Sequence, residues 1–137
     1  MNVEEKKIAF LTKNFPDIAP DDIVINDFSC SLQKDTLVQG RIYLSSLGYY
    51  FYSKVFGYVN TVFSPWKDVC KLKKDNAAFF LPIVLHISTT TEQHTFQFWQ
   101  NRNKIYAIIK VIWLNHQSSE PLTKYQLIKK AEEIIKL

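Results

Sequence analysis

Ser29-Cys30-Ser31-Leu32-Gln33-Lys34-Asp35-Thr36-Leu37-Val38-Gln39-Gly40-Arg41-Ile42-Tyr43-Leu44 runs through a turn at Ser45-Ser46-Leu47-Gly48 into Tyr49-Tyr50-Phe51-Tyr52-Ser53. The stretch is rich in aromatic and β-branched residues and is punctuated by short polar turns, which predicts three successive β-strands. Its period is two. Phe28, Cys30 and Leu32 share one face of the first strand, and Val38, Ile42 and Leu44 share one face of the second. Arg41 and Tyr43 fall on the opposite face.

Four more short runs follow, at Asn60–Phe63, Val69–Lys73, Ile83/Leu85/Ile87 and His94/Phe96/Phe98. Seven strands at hairpin spacing predict an antiparallel barrel, whose full closure would remove exposed sheet edges. On either side the period changes to 3.6. Asn2 and Glu5 have capping-box spacing, Ile8, Leu11 and Phe15 share a helical face, and Pro16 ends the run. This helix, over 3–15, is expected to cover a barrel end. Ile105, Tyr106, Ile108, Ile109, Ile112 and Trp113 form a broad apolar stripe, suited to a helix over 100–117 that closes the barrel over 23–99. A last helix follows Ser118-Ser119-Glu120-Pro121. Residues 1–117 thus read as one mainly β domain with helices (α+β), and 118–137 as an extra helix that packs back or serves as a connector.

At 137 residues, with 15% aromatics and three glycines, the chain can bury a sizeable core. The net charge of +4 divides as −2 over residues 1–22, +2 over 23–99 and +4 over 100–137. That is no dense basic stripe, so nucleic acid is not an expected partner. No apolar run reaches the ~20 residues of a membrane span, and the charged start does not resemble a signal peptide. A cytoplasmic chain is therefore expected, with Cys30 and Cys70 as reduced core or half-buried thiols.

Catalytic chemistry is not expected either. Gly40, Gly48 and Gly57 are too far apart for a phosphate-cradling loop, and no cofactor motif occurs. Placing Leu85 beside Phe96 puts His86 and His94 on opposite faces, so they cannot share a metal. Cys30 has no histidine that the pattern brings alongside it.

The chain resembles the GRAM domain family, which shares the pleckstrin-homology-like barrel. The resemblance runs through Phe15-Pro16, Ser29-Cys30 with Leu32, Gln39 to Ser45, Phe51-Tyr52-Ser53, Phe56-Gly57, Val69 to Lys74, and Phe96 to Arg102 leading to Trp113. It covers roughly 8–115 and is strongest over Cys30–Ser53, where it is most similar to GRAM domains of Aster/Lam-type sterol-transfer proteins. Departures at Tyr49-Tyr50 and Tyr58-Val59 are expected near the membrane edge. The resemblance implies a non-catalytic module, peripheral at the cytosolic face of membranes, for phosphatidylserine or phosphoinositides at membrane contact sites.

Candidate head-group cations are Lys34, Arg41, Lys54, Lys71 and Lys73. Arg41 could instead brace the barrel through Asp68 or Asp27. Candidate insertion residues are Val55, Phe56 and Tyr58, flanking Gly57, unless Phe56 folds back as a plug. The alternative function is a protein partner, bound as a peptide between the closing helix and Val69–Lys74.

Overall fold

The computed structural model describes residues 2–75 and 80–137. In chain order its elements are α1 (Val3–Asn14), β1 (Val24–Gln33), β2 (Leu37–Ser45), β3 (Gly48–Val55), β4 (Tyr58–Pro65), a 3-10 turn (Trp66–Asp68), β5 (Val69–Asp75), β6 (Ile83–Thr89), β7 (Gln93–Phe98), α2 (Arg102–Gln117) and α3 (Lys124–Lys136). All ladders are antiparallel, in the order β4-β3-β2-β1-β7-β6-β5.

The expected alternation sets the core. Phe28, Cys30, Leu32, Ile42, Leu44, Phe51, Leu85, Ile87, Phe96 and Phe98 point inward, and α2 lays Ile105, Ile108, Ile109 and Ile112 against them. Leu85 pairs with Phe96 and His86 with Thr95, so His86 and His94 do lie on opposite faces. Gly40 lets two strands meet closely: a Cβ there would stand 2.5 Å from the Tyr52 carbonyl oxygen.

The ladder does not close as expected. β4 and β5 remain its two edges, joined by the 3-10 turn rather than by pairing. That corner is filled instead by Trp66, whose Nε1 donates to the Ser45 carbonyl at 2.8 Å. Trp113 of α2 donates to the Val69 carbonyl at 3.0 Å and so engages the start of β5.

Nor does α1 cover a barrel end. Its capping box forms as read, but the helix lies on the outer face of β2 and β3. Phe10 packs on Tyr43 and Tyr52, Phe15 on Tyr50, and Lys7 pairs with Asp27 at 2.6 Å. The physical reason is the row of outward tyrosines, a large apolar surface that water would otherwise face.

α3 packs back, on β1 and α2, burying Leu127 and Ala131. β1 pairs with β7 only at Ser31↔Gln97 and Leu32↔Phe96, so its first half diverges from that strand. α3 lies beside this half, and Lys104 Nζ donates to the Ile135 carbonyl at 2.8 Å. Cys30 is buried, and burial pushes its thiol up to about 12. Cys70 is exposed rather than half-buried, and neither thiol is in a disulfide.

Candidate functional site

The two ends of neighbouring hairpins, the β1–β2 and β6–β7 turns, meet the middle of β4 around a depression of about 450 Å³. Lys34, Thr61, Phe63, Glu92, Gln93 and His94 line it. His94 is the second residue of β7 and the first on its inward face, which puts its ring at the mouth of the barrel. Its Nδ1 is 2.7 Å from the Tyr49 hydroxyl and its Nε2 is 3.2 Å from Glu92 Oε2. Burial lowers the basicity of His94, and this outweighs the opposing pull of Glu92; the Lys34 charge lowers it further. At neutral pH the depression therefore holds one cation, Lys34, one carboxylate, Glu92, and neutral donors.

Beyond this depression the β3–β4 hairpin continues. Val55 pairs with Tyr58, which leaves a two-residue turn of Phe56 and Gly57 with φ of 50° and 81°. Turns with φ > 0 at both positions match the twist of the flanking strands, and they favour Asn-Gly. A phenylalanine in the left-handed region costs about 1–2 kcal/mol. Packing does not recover that cost, because Phe56 is 96% exposed. It does not fold back as a plug. Tyr58 is 78% and Val59 52% exposed, so apolar side chains stand exposed on both faces of the tip, with Lys54 paired across the strands with Val59. The turn stands about 13 Å along β4 from Thr61, by the rise of a strand.

The five cation candidates do not form one cluster. Lys34 lines the depression, and Lys54 stands on the hairpin arm. Lys71 and Lys73 lie on the outer face of β5–β6–β7, around a smaller hollow of about 180 Å³ with His86, Ser88 and Gln93. Arg41 belongs to neither group. Its Nε donates to Asp27 Oδ2 at 2.5 Å and its Nη1 to Ser29 Oγ at 2.9 Å. Burial pushes the Asp27 carboxyl up, but hydrogen bonds from Lys7 and Arg41 outweigh it and hold the group below the usual range. Arg41 thus braces β1 to β2, beside a separate groove of about 490 Å³ that includes Trp99 and Ile135.

One sequence reading is corrected here. Tyr49 and Tyr50, expected near a membrane edge, are buried, one against Trp66 and Phe96 and the other under Phe15. His94, weighed in the sequence only as a metal ligand, and Thr61 were not singled out for this depression, whereas Lys34 and Gln93 belong to the first–second and sixth–seventh strand loops expected on one rim. Inward alternation of His94 with Phe96 and Phe98 was the available signal for the first; nothing in the sequence brings β4 to the other two turns.

The GRAM domain family model matches residues 10–118. The chain is 32% identical to human (Homo sapiens) Protein Aster-B over 115 residues, 84% of this chain and 16% of that protein. It is 26% identical over 121 residues to the Membrane-anchored lipid-binding protein LAM5 of Saccharomyces cerevisiae, covering 88% of this chain and 18% of LAM5. The chain thus spans less than a fifth of the length of these relatives. The Vps36 N-terminal PH domain superposes with a TM-score of 0.52 at 11% identity, covering 88% of this chain and 86% of that domain, a likeness of fold. The matched residues take in all seven strands and the closing helix, and the chain belongs to the GRAM domain family.

Proposed function

We propose that the chain is a non-catalytic lipid-binding module that recruits its protein to the anionic, cytosolic face of membranes, with phosphatidylserine or phosphoinositides as ligands. Its relatives include a protein named as membrane-anchored and lipid-binding. The observation that carries the reading is Phe56, a large aromatic held in a strained backbone conformation and packed on nothing. Strain of this kind persists where function uses it. A bilayer interface recovers the cost by burying the ring, and Tyr58 and Val55 follow it in. Lys54 then lies at the phosphate level, and Lys34 offers a second cation at the mouth of the barrel.

Magnitudes make this a weak, conditional binder. Each cation near an anionic surface contributes about 1 kcal/mol. Partial insertion of Phe56 or Tyr58 adds roughly 1–2 kcal/mol each, at ~25 cal/mol per Å². Firm recruitment then needs a second attachment, as at a contact between two membranes.

Co-sedimentation with vesicles of phosphatidylserine, of single phosphoinositides, or of neutral lipid with and without sterol, at two salt concentrations, tests this. Binding to an anionic composition that weakens with salt and with Lys54→Ala/Phe56→Ala is expected. Binding to none of them would sink the proposal and shift weight to a peptide partner. The groove such a peptide would need is already bridged: Trp113 holds Val69 at one end, and Lys74 donates to Asn103 Oδ1 at 3.1 Å at the other.

A further inference from the structure

We propose that the outer face of β5–β6–β7 is a second anion site, separate from the barrel mouth, which takes a phosphate monoester. Strand register assembles it from two cross-strand rows. Lys71 stands opposite Ser88, which stands opposite Gln93; Lys73 stands opposite His86, which stands opposite Thr95. Every one of these side chains is an ion or a hydrogen-bonding group, and they share one face of a sheet whose other face is core. Five of the six residues that follow from this register, all but Thr95, surround the hollow of about 180 Å³.

The charge within it is uneven. Asp75 lies at the Lys73 end, 3.7 Å from Lys73 Nζ and 2.8 Å from His86 Nε2, and partly cancels the Lys73 charge. Lys71 has no ion pair among the described residues, so the Lys71–Ser88–Gln93 row is the electropositive end. The neutral groups there are loosely engaged. Ser88 Oγ donates to Gln93 Oε1 at 3.3 Å, and Gln93 Nε2 lies 3.4 Å from His86 Nδ1. Contacts this long are readily exchanged for charge-assisted ones. An ammonium, a hydroxyl and a carboxamide around one small hollow suit a compact tetrahedral ion with three accepting oxygens. A phosphate monoester carries about −1.5 to −2 charges and three such oxygens. A phosphodiester has a single charge and two free oxygens, and it suits the site less well.

Gln93 also lines the depression at the barrel mouth. One side chain therefore stands between the two sites, and Lys71, opposite the penultimate residue of β6, is nearer than Lys73 to the β6–β7 turn. Lys73 is about 6.6 Å further along its strand. On the membrane reading, head groups of a bilayer held at the mouth would meet Lys71 before Lys73. Only this lipid source rests on the membrane reading of the preceding section; the anion chemistry does not.

The test has a soluble arm and a vesicle arm. Inorganic phosphate is titrated into the ¹⁵N-labelled domain and followed by its amide resonances. Saturable shifts at Lys71, Ser88 and Gln93 are expected, with affinity about tenfold weaker in Lys71→Ala, the loss of one charge-assisted contact. Absence of those shifts, or shifts indifferent to Lys71→Ala, overturns the site. In the vesicle arm, Lys71→Ala is expected to weaken binding to vesicles carrying a phosphoinositide monoester and to spare phosphatidylserine vesicles of equal charge. Phosphate binding at Lys71 without any effect on vesicles assigns the site to a soluble phosphate. Vesicle binding lost in Phe56→Ser but unchanged in Lys71→Ala, with no phosphate shifts, overturns this site and leaves the membrane reading standing.

Discussion

The Tyr49 hydroxyl and His94 Nδ1 lie 2.7 Å apart, tying β3 to β7 across the inside of the barrel. Glu92 at Nε2 keeps the neutral imidazole protonated there, so Nδ1 accepts from the phenol. Burial lowers the basicity of His94 below its ordinary 6.5. The unfolded chain therefore binds the proton more readily than the folded one. Stability is complete above the unfolded value and declines as pH falls through about 6.5 toward the folded value. The expected result is a melting temperature that falls over this range and a flatter profile in His94→Gln. An identical profile in the variant would show that the ring carries no linkage. Asp27 gives a separate decline at lower pH, below 3.8, because its carboxyl is held down.

At the hairpin tip, stability and binding are expected to move in opposite directions. Phe56→Asn places a residue that tolerates φ near 50° where phenylalanine does not. It should stabilise the domain by about 1 kcal/mol, seen as a melting temperature raised by roughly 2–5 °C. Vesicle binding should fall roughly tenfold, the loss of about 1–2 kcal/mol of apolar burial. Gly57→Ala is expected to destabilise the turn at φ of 81°, although no atom stands in the way of its Cβ.

Asp22 is a buried carboxyl group with no ion pair among the described residues. It accepts from Ser45 and Ser46 Oγ at 2.8 Å, from the Tyr50 hydroxyl at 2.7 Å and from Leu47 N at 3.1 Å. The β2–β3 turn is organised around this one side chain. Asp22→Ala leaves several buried donors unmatched and should cost about 3 kcal/mol, read as a clear drop in the denaturation midpoint. Asp22→Asn should recover only part, since its amide cannot accept on both sides.

Leu127 tests whether α3 is part of the folded unit. It is 4% exposed, within the core formed by β1 and α2. Leu127→Ala should cost about 2–4 kcal/mol in a single cooperative transition. A separate early transition confined to helical signal would show instead that α3 is an independent appendage.

Much of the fold was legible because alternation and register are local. Leu85 opposite Phe96 follows from matching two apolar faces, and it separates His86 from His94 without further information. The position of α1 was not legible, since an amphipathic helix reveals that something covers it and not what. Tyr43, Tyr50 and Tyr52 decide it, and their shared outward face appears only once β2 and β3 are in register. Closure of the ladder failed to follow because Trp66, not backbone pairing, fills the corner after β4. At the site, the sequence leaves Arg41 open as a head-group cation or as a brace through Asp68 or Asp27, and Asp27 is the partner it takes. The exposed Phe56 tip was foreseen as a candidate, but its positive φ depends on a two-residue turn that the sequence alone does not count.

The gap between β4 and β5 bears on how the domain opens. β1 occupies the middle of the strand order, while the two outermost strands each lack one neighbour. Amide exchange should therefore be slowest along β1 and β2 and fastest along the edge strand β4. The contact of β1 with β7 joins distant parts of the chain, whereas β1 to β4 meet through short hairpins. Loop-closure entropy sets the order of events: the four-stranded half assembles early, and the barrel acquires its shape when the last strand arrives beside Leu32.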